Sequence, residues 1–297
     1  MSTSDPVGDL QTVRLRFVPT DLTPGDGDAA EREHPHEIAV LTLARPESAN
    51  ALSVTMLEEL ARAAALVERR DSVRAVVIHG EGKHFSAGAD LAWMKESAAL
   101  DFMANVADAE RLLHAFEAIA TLSVPTLAVV HGAAYGGAVG LVAACDFAIA
   151  LDSARFCLSE IKLGLIPAVI TPYLARRIPH GELRRLALGA RIFDGQEARE
   201  VHLVQRVVSA DQRDQCIREE LGALLQGARG AQSSFKRLLD TVVSENYAQG
   251  GYTARAIAAA RTGAEGQAGL AAFFAKQPAP WTTQLPPNWT IDTAERP

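Results

Sequence analysis

At 297 residues, 48% of them hydrophobic, the chain is long enough for one large domain or two small ones around a substantial core. Its net charge of −7, with no basic cluster interleaved with aromatics, gives nucleic-acid binding no electrostatic support. No apolar run approaches the roughly 20 residues that span a bilayer, and residues 1–9 lack the basic-then-apolar order of a secretory leader. A cytoplasmic enzyme without a nucleic-acid or membrane partner is therefore expected. Cys145, Cys157 and Cys216 have spacings of neither a disulfide framework nor a zinc site and read as buried structural thiols.

Residues 1–35 carry Pro6, Pro19, Pro24, Gly25, Gly27 and a Glu31-Arg32-Glu33 run, with only 13–18 as a possible short strand, and read as a partly ordered extension. The pattern then alternates: strand 38–43, helix 54–68, strand 75–79, helix 101–122 and strand 125–130, the signature of βαβ units. The small residues 136–144 predict a closely packed helix. Beyond Pro172 the chain turns helical at 173–177, 181–188, 196–199, 211–226 and 233–243. A last helix is expected over 252–274, before a Pro-rich tail from Pro278.

Two loops stand out. His84-Phe85-Ser86-Ala87-Gly88-Ala89-Asp90-Leu91 and His131-Gly132-Ala133-Ala134-Tyr135-Gly136-Gly137 each follow a β-branched apolar run, so each reads as a strand ending in a turn with open backbone N–H groups. Glycine and alanine let a ligand oxygen approach those amides, and two such loops can form one oxyanion hole. The helix after Gly136 would add the favourable dipole of its N-terminus. Glu160 lies in apolar sequence, Leu158-Ser159-Glu160-Ile161, where desolvation raises a carboxyl pKa toward the range of proton transfer. Its plainer alternative is an ion-pair partner for Lys162 or Arg177. His84 and His131 have no metal-ligand spacing and read as packed or hydrogen-bonded. Ser86 and Ser159 have no Gly-x-Ser-x-Gly elbow around them.

The two loops, Ser159-Glu160 and the segment Glu265-Gly266-Gln267-Ala268-Gly269-Leu270 resemble, in this order, the crotonase (enoyl-CoA hydratase/isomerase) superfamily over residues 38–281. The resemblance implies an α/β fold, a ClpP-like spiral of ββα units with a C-terminal helical trimerisation region, assembled as a homotrimer or homohexamer. It divides the chain into the extension 1–35, a spiral core 36–205, a helical region 206–281 that oligomerises and closes over CoA, and a tail 282–297. A doubly wound sheet would fit the same alternation, although no Gly-x-Gly-x-x-Gly follows the first strand.

The resemblance also implies an acyl-CoA substrate, with no separate cofactor and no metal. The N–H groups of Ala89 and Gly137 would hold the thioester oxygen, and Glu160 would be the catalytic carboxylate. Ala49, Asn50, Ala51 and Leu52 match the segment that curls around CoA, Ala87, Gly88, Asp90 and Leu91 supply the facing wall, Gly136 belongs to the second loop, and Lys276 would reach a phosphate. Helix 101–122 would line the acyl pocket, and Trp93 and Met94 the acyl region or the core.

One position departs from the pattern. Straight-chain hydratases of the superfamily have a second Glu where this chain has Gly140. In that respect, and in Leu91-Ala92-Trp93-Met94-Lys95, the chain resembles bacterial hydratases of branched, carboxylated enoyl-CoAs, the methylglutaconyl-CoA and isohexenylglutaconyl-CoA enzymes of leucine and acyclic terpene breakdown. Gly140 would then leave room for a bulkier substrate, Glu160 would do all the proton work, and Lys95 is a candidate partner for the distal carboxylate. A double-bond isomerase, which needs one carboxylate, and a non-catalytic acyl-CoA-binding protein are the competing readings.

Overall fold

A computed structural model describes residues 10–22, 36–244 and 250–294, so residues 1–9 and 23–35 of the expected extension lie outside the described residues. Val13–Pro19 (β1) and Asp21–Leu22 (β2) come first, and Glu37–Leu43 (β3) returns antiparallel to β1. Crossovers follow. Val54–Glu68 (α1), capped by the Ser53 hydroxyl accepting from Met56 N, leads to Val73–Gly80 (β4). Leu91–Ser97 (α2) and Phe102–Ala120 (α3) lead to Thr126–Val130 (β5). After Ala133–Tyr135 (β6), Gly137–Ala144 (α4) leads to Phe147–Leu151 (β7) and Arg155–Cys157 (β8).

The remainder is Thr171–Ala175 (α5), His180–Gly189 (α6), Phe193–Asp194 (β9), Gly195–Glu200 (α7), Arg206–Val208 (β10), Arg213–Leu225 (α8), Arg229–Ser244 (α9), Gly250–Thr262 (α10), Ala264–Ala275 (α11), Thr283–Gln284 (β11) and Ile291–Ala294 (α12). β1-β3-β4-β5-β7-β10 form a six-stranded sheet, parallel from β3 onward. Its central strands are continuous apolar runs because both faces are covered. Along β3, Ala39, Leu41 and Leu43 face the core beneath α1, α3 and α4, while Ile38 and Val40 face Ile217, Leu221 and Leu225 of α8, the two-residue period of a strand.

The turns after the main-sheet strands build a second ladder. Leu52 bridges Ala89, Ser86 bridges Ala134, β6 runs parallel to β8, and β8 pairs with β9. Each turn of chain thus contributes one strand to the large sheet and one short segment to this ladder. The candidate site lies along it.

The structure differs from the sequence reading in several places, among them the strands β7 and β10, which were not expected. The helix expected over 252–274 is two helices: Gly263 is extended (φ −71°, ψ 160°), and α11 folds back so closely that a Cβ on Gly266 would lie 2.0 Å from the Ala260 carbonyl oxygen. α2 is a seven-residue helix that periodicity does not reveal, started by the Asp90 side chain accepting from Ala92 N and Trp93 N. Contacts also cross the expected boundaries at 205 and 281. β10 completes the main sheet, β11 pairs with β2, and Trp289 and Ile291 are buried against α8.

Candidate active site

The ladder orients two peptide planes. Leu52 N donates to the Gly88 carbonyl (2.7 Å), and Asp90 N donates to the Leu52 carbonyl (3.0 Å). A trans peptide sets its N–H opposite its C=O, so the Ala89 N–H, sharing a plane with the Gly88 carbonyl, points away from Leu52. In the second loop the Gly136 carbonyl accepts from Val139 N (2.9 Å), and the Gly137 N–H, at the first position of α4, points out of the helix. Neither N–H has an acceptor among the described residues.

The two loops touch. A Cβ on Gly88 (φ +94°) would lie 2.6 Å from the Tyr135 carbonyl oxygen, so only glycine permits this approach. The loops are further laced by Phe85 N to the His131 carbonyl (2.8 Å) and Tyr135 N to the Ser86 carbonyl (3.2 Å). His84 Nδ1 accepts from Ala133 N (3.0 Å) and His131 Nε2 bonds the Gly82 carbonyl (2.9 Å), the packed, hydrogen-bonded roles expected of these rings.

Glu160 begins a short 3-10 turn, Glu160–Leu163, just after β8, whose Cys157 carbonyl accepts from Gly136 N (2.8 Å). Its carboxylate sits against the second loop: a Cβ on Gly136 (φ +51°) would be 3.1 Å from Oε1. Oε2 is buried with no hydrogen-bond partner. Burial pushes the carboxyl above its ordinary value of 4.5, only partly offset by its own backbone N–H. The plainer alternative does not hold, since Arg177 Nε donates to the Ala143 carbonyl (2.9 Å) and neither Arg177 nor Lys162 bonds the carboxylate. A half-buried carboxylate with one unpartnered oxygen, set against the loop that carries the open Gly137 N–H, can take up and return a proton next to an oxygen that gains negative charge.

Gly140 is placed differently from expectation. A Cβ there would lie 2.1 Å from Ile170 Cγ2 and 2.9 Å from Phe116 Cε2, so the space is filled by protein and is not left open for a substrate. Ile170 gave no signal in the sequence, because it meets Gly140 only through the fold.

The remaining expected residues divide by what their side chains do. Ala49 (φ 50°) and Asn50 (φ 53°) form a left-handed turn, with the Ala49 carbonyl accepting from Ala87 N (2.9 Å). Asn50 is a buried brace whose amide donates to the Glu81 and His84 carbonyls, both at 2.8 Å, and accepts from Arg45 N. Ala51 and Leu52 are buried, and Leu52 Cδ1 lies against Gly137. Asp90 uses its carboxylate internally, on the α2 cap and on Arg45, and is lowered: burial raises it, and the bonds from Arg45, Ala92 and Trp93 outweigh that. Leu91 and Lys95 are exposed on α2.

Trp93 packs on the core and donates Nε1 to Asp108 of α3, which also accepts from Ser97. Of α3, Leu112 approaches Gly137 and Phe116 approaches Gly140, while residues 101–103 are exposed. Lys276 ends α11, which packs on α9 and α10. Its ammonium is exposed and makes no ion pair among the described residues. A cavity of about 680 Å³ lies on the far side of α4, against α9, and none of Ala89, Gly137 or Glu160 lines it. Among the described residues no three His, Cys, Asp or Glu side chains gather as a metal-ligand set, and no helix is long and apolar enough to cross a membrane. Cys145, Cys157 and Cys216 are free and buried, as expected, with burial pushing the Cys145 thiol up to about 12.

Known proteins share this arrangement of elements. The Enoyl-CoA hydratase/isomerase family profile matches residues 33–284. A Thermus thermophilus protein named as an enoyl-CoA hydratase is 33% identical over 247 residues, spanning 81% of this chain and 96% of its own. The crystal structure of an enoyl-CoA hydratase from Shewanella pealeana superposes with a TM-score of 0.79 at 37% identity, covering 82% of this chain and 92% of that one. Pseudomonas aeruginosa AtuE superposes at 0.81 with 34% identity, covering 92% and 100%. These likenesses bear out the expected α/β spiral of ββα units with a helical C-terminal region. The chain belongs to the enoyl-CoA hydratase/isomerase (crotonase) family and is an enzyme of CoA-thioester chemistry.

Proposed function

We propose that the protein hydrates a branched, carboxylated 2-enoyl-CoA, such as 3-methylglutaconyl-CoA, with Glu160 as its only catalytic carboxylate. The reading is carried by one observation: a carboxylate whose Oε2 is buried without a partner lies against Gly136, the residue before the open Gly137 N–H. Glu160 takes a proton from water while the water oxygen bonds to C3 of the enoyl group. The C2–C3 π electrons move onto the thioester oxygen, which accepts from Ala89 N and Gly137 N. Glu160 then returns the proton to C2. Each N–H donor lowers the barrier by up to roughly 3–4 kcal/mol.

The single carboxylate supports the choice of substrate, because Ile170 and Phe116 fill the space beside Gly140, where straight-chain hydratases carry their second Glu. Ala49–Leu52 and Ala87–Leu91 would receive the CoA moiety largely through backbone groups. Lys276 would serve a phosphate, in this subunit or a neighbouring one. Assembly as a homotrimer or homohexamer is part of the same proposal.

The test is mass-resolved product formation from 3-methylglutaconyl-CoA, crotonyl-CoA and a 3-enoyl-CoA, with the parent and Glu160→Gln. Gain of one water by the branched substrate, slowed about 10²–10⁴-fold in the variant, is the expected result. Conversion of the 3-enoyl substrate alone, without mass change, would make the enzyme an isomerase. Parent-like turnover by Glu160→Gln would remove Glu160 from the chemistry.

A further inference from the structure

Arg45 lies outside every segment that touches the reacting atoms in the reading above, yet it bonds both to the first loop and to the 49–52 segment that faces it. Its Nη1 donates to the Ala51 carbonyl (2.9 Å) and to Asp90 Oδ2 (2.9 Å), and the Arg45–Asp90 pair is largely withdrawn from solvent, at 21% and 14% side-chain exposure. The backbone of Arg45 is fixed in turn, with its N–H donating to Asn50 Oδ1 and its carbonyl accepting from Asn50 N, both at 2.8 Å.

Peptide planarity turns these contacts into a chain. The Ala51 carbonyl shares a plane with the Leu52 N–H, so the bond from Arg45 sets the direction in which Leu52 donates. Leu52 donates to the Gly88 carbonyl at 2.7 Å, and that carbonyl shares a plane with the Ala89 N–H. On the other side Arg45 holds Asp90, the residue after Ala89, whose Oδ1 accepts from Ala92 N (2.9 Å) at the start of α2. One guanidinium nitrogen, Nη1, thus bears on the Ala89 peptide from both directions.

We propose that Arg45 is a positioning residue that, through the Ala51 carbonyl and the Asp90 carboxylate, aims the Ala89 N–H at the thioester oxygen of the bound substrate. The proposal rests on the oxyanion role of Ala89 put forward above. Donors of this kind act only when held where charge develops, so a small rotation of the peptide costs rate while leaving CoA binding in place.

The experiment reads the carbonyl directly. Butyryl-CoA labelled with ¹³C at the thioester carbon is bound to the parent, Arg45→Met, Arg45→Lys, Asp90→Asn and the Met/Asn double variant, and its carbonyl stretch is recorded by isotope-edited infrared spectroscopy. Turnover of the substrate identified above and unfolding midpoints are measured alongside. Asp90→Asn keeps a side chain that caps α2 as well as Asp does, so it separates the pairing from the cap even if Arg45→Met folds poorly.

A red shift of the carbonyl in the parent is expected, roughly halved in Arg45→Met and Asp90→Asn, with kcat lower by about 10- to 100-fold, KM little changed and partial recovery in Arg45→Lys. The double variant should be no slower than the slower single variant, since both substitutions break one linkage. A full red shift in Arg45→Met and Asp90→Asn, or additive losses in the double variant, would overturn the role of Arg45 and leave the oxyanion reading standing. No red shift in the parent would overturn both.

Discussion

Glu160 is half-buried, with its Oε2 withdrawn from solvent and without a counter-charge, and both consequences of that can be measured. Desolvation holds its pKa above the ordinary 4.5, and the hydration proposed here needs the ionised form to accept a proton from water. The acid limb of kcat/KM, which reports the free enzyme, should therefore lie above 4.5 and disappear from the residual activity of Glu160→Gln. Stability runs the other way. With the folded pKa above the unfolded one, the contribution of the protonated group is fully present below the unfolded value and is lost as pH rises through the folded value. Glu160→Gln removes that loss, so its unfolding midpoint should equal or exceed the parent's at neutral pH. The site accepts an unpaired, half-buried charge where a stabler protein would carry a neutral group.

Among the elements, β1 depends on a partner distant in sequence. Glu59 of α1 is 1% exposed and accepts from Gln11 N (2.8 Å), Thr12 N (2.8 Å), Thr12 Oγ1 (2.6 Å) and Val13 N (3.0 Å). Burial alone would raise its pKa, but these bonds outweigh it and the carboxyl is held low. Its stabilisation is present above the unfolded value and is lost as pH falls through the lowered folded value. Glu59→Gln offers an amide donor to groups that donate, and should cost roughly 2–4 kcal/mol in chemical denaturation near neutral pH, with a smaller difference in acid. The short α2 shows a similar dependence. Its cap is Asp90 and its far end is tied to α3 through Trp93, Ser97 and Asp108, so seven residues suffice for a helix that would be marginal alone.

Across the whole molecule the six-stranded sheet is covered on both faces, and the buried guanidinium of Arg74 on β4 draws the C-terminal region in by donating to the Trp281 and Gly227 carbonyls. The helices beyond α8 nevertheless present large apolar side chains outward. On α9, Phe235, Leu239 and Val243 recur every four residues at 61%, 49% and 57% exposure. An apolar stripe of this kind is expected against another protein surface, here a second copy of the chain. Light scattering should give a mass near three or six times 31.7 kDa, and Phe235→Asp should shift it toward the monomer. A monomeric parent would remove the proposed assembly.

Local chemistry wrote much of this protein into its sequence. The span of α1 was legible to the residue, because Ser53 is a strong cap and its apolar positions recur at helical spacing. The parallel strands β3, β4 and β5 were legible as apolar runs, whereas β7 and β10 were not, and Gly88, Gly136 and Glu160 could be picked out because glycine and a carboxylate in apolar sequence are conspicuous. What tertiary structure decided concerns partners far apart in the chain. The filling of the Gly140 space by Ile170, the use of Asn50 and Asp90 as internal braces, and the bonds of Arg45 to Ala51 and Asp90 all depend on which peptide faces which across the ladder. The break at Gly263 was likewise set by how closely α11 folds back on α10. A sequence specifies its local conformations through short-range sterics and hydrogen bonding, whereas the aim of a single N–H is set by peptide planes stacked between segments some 40 residues apart.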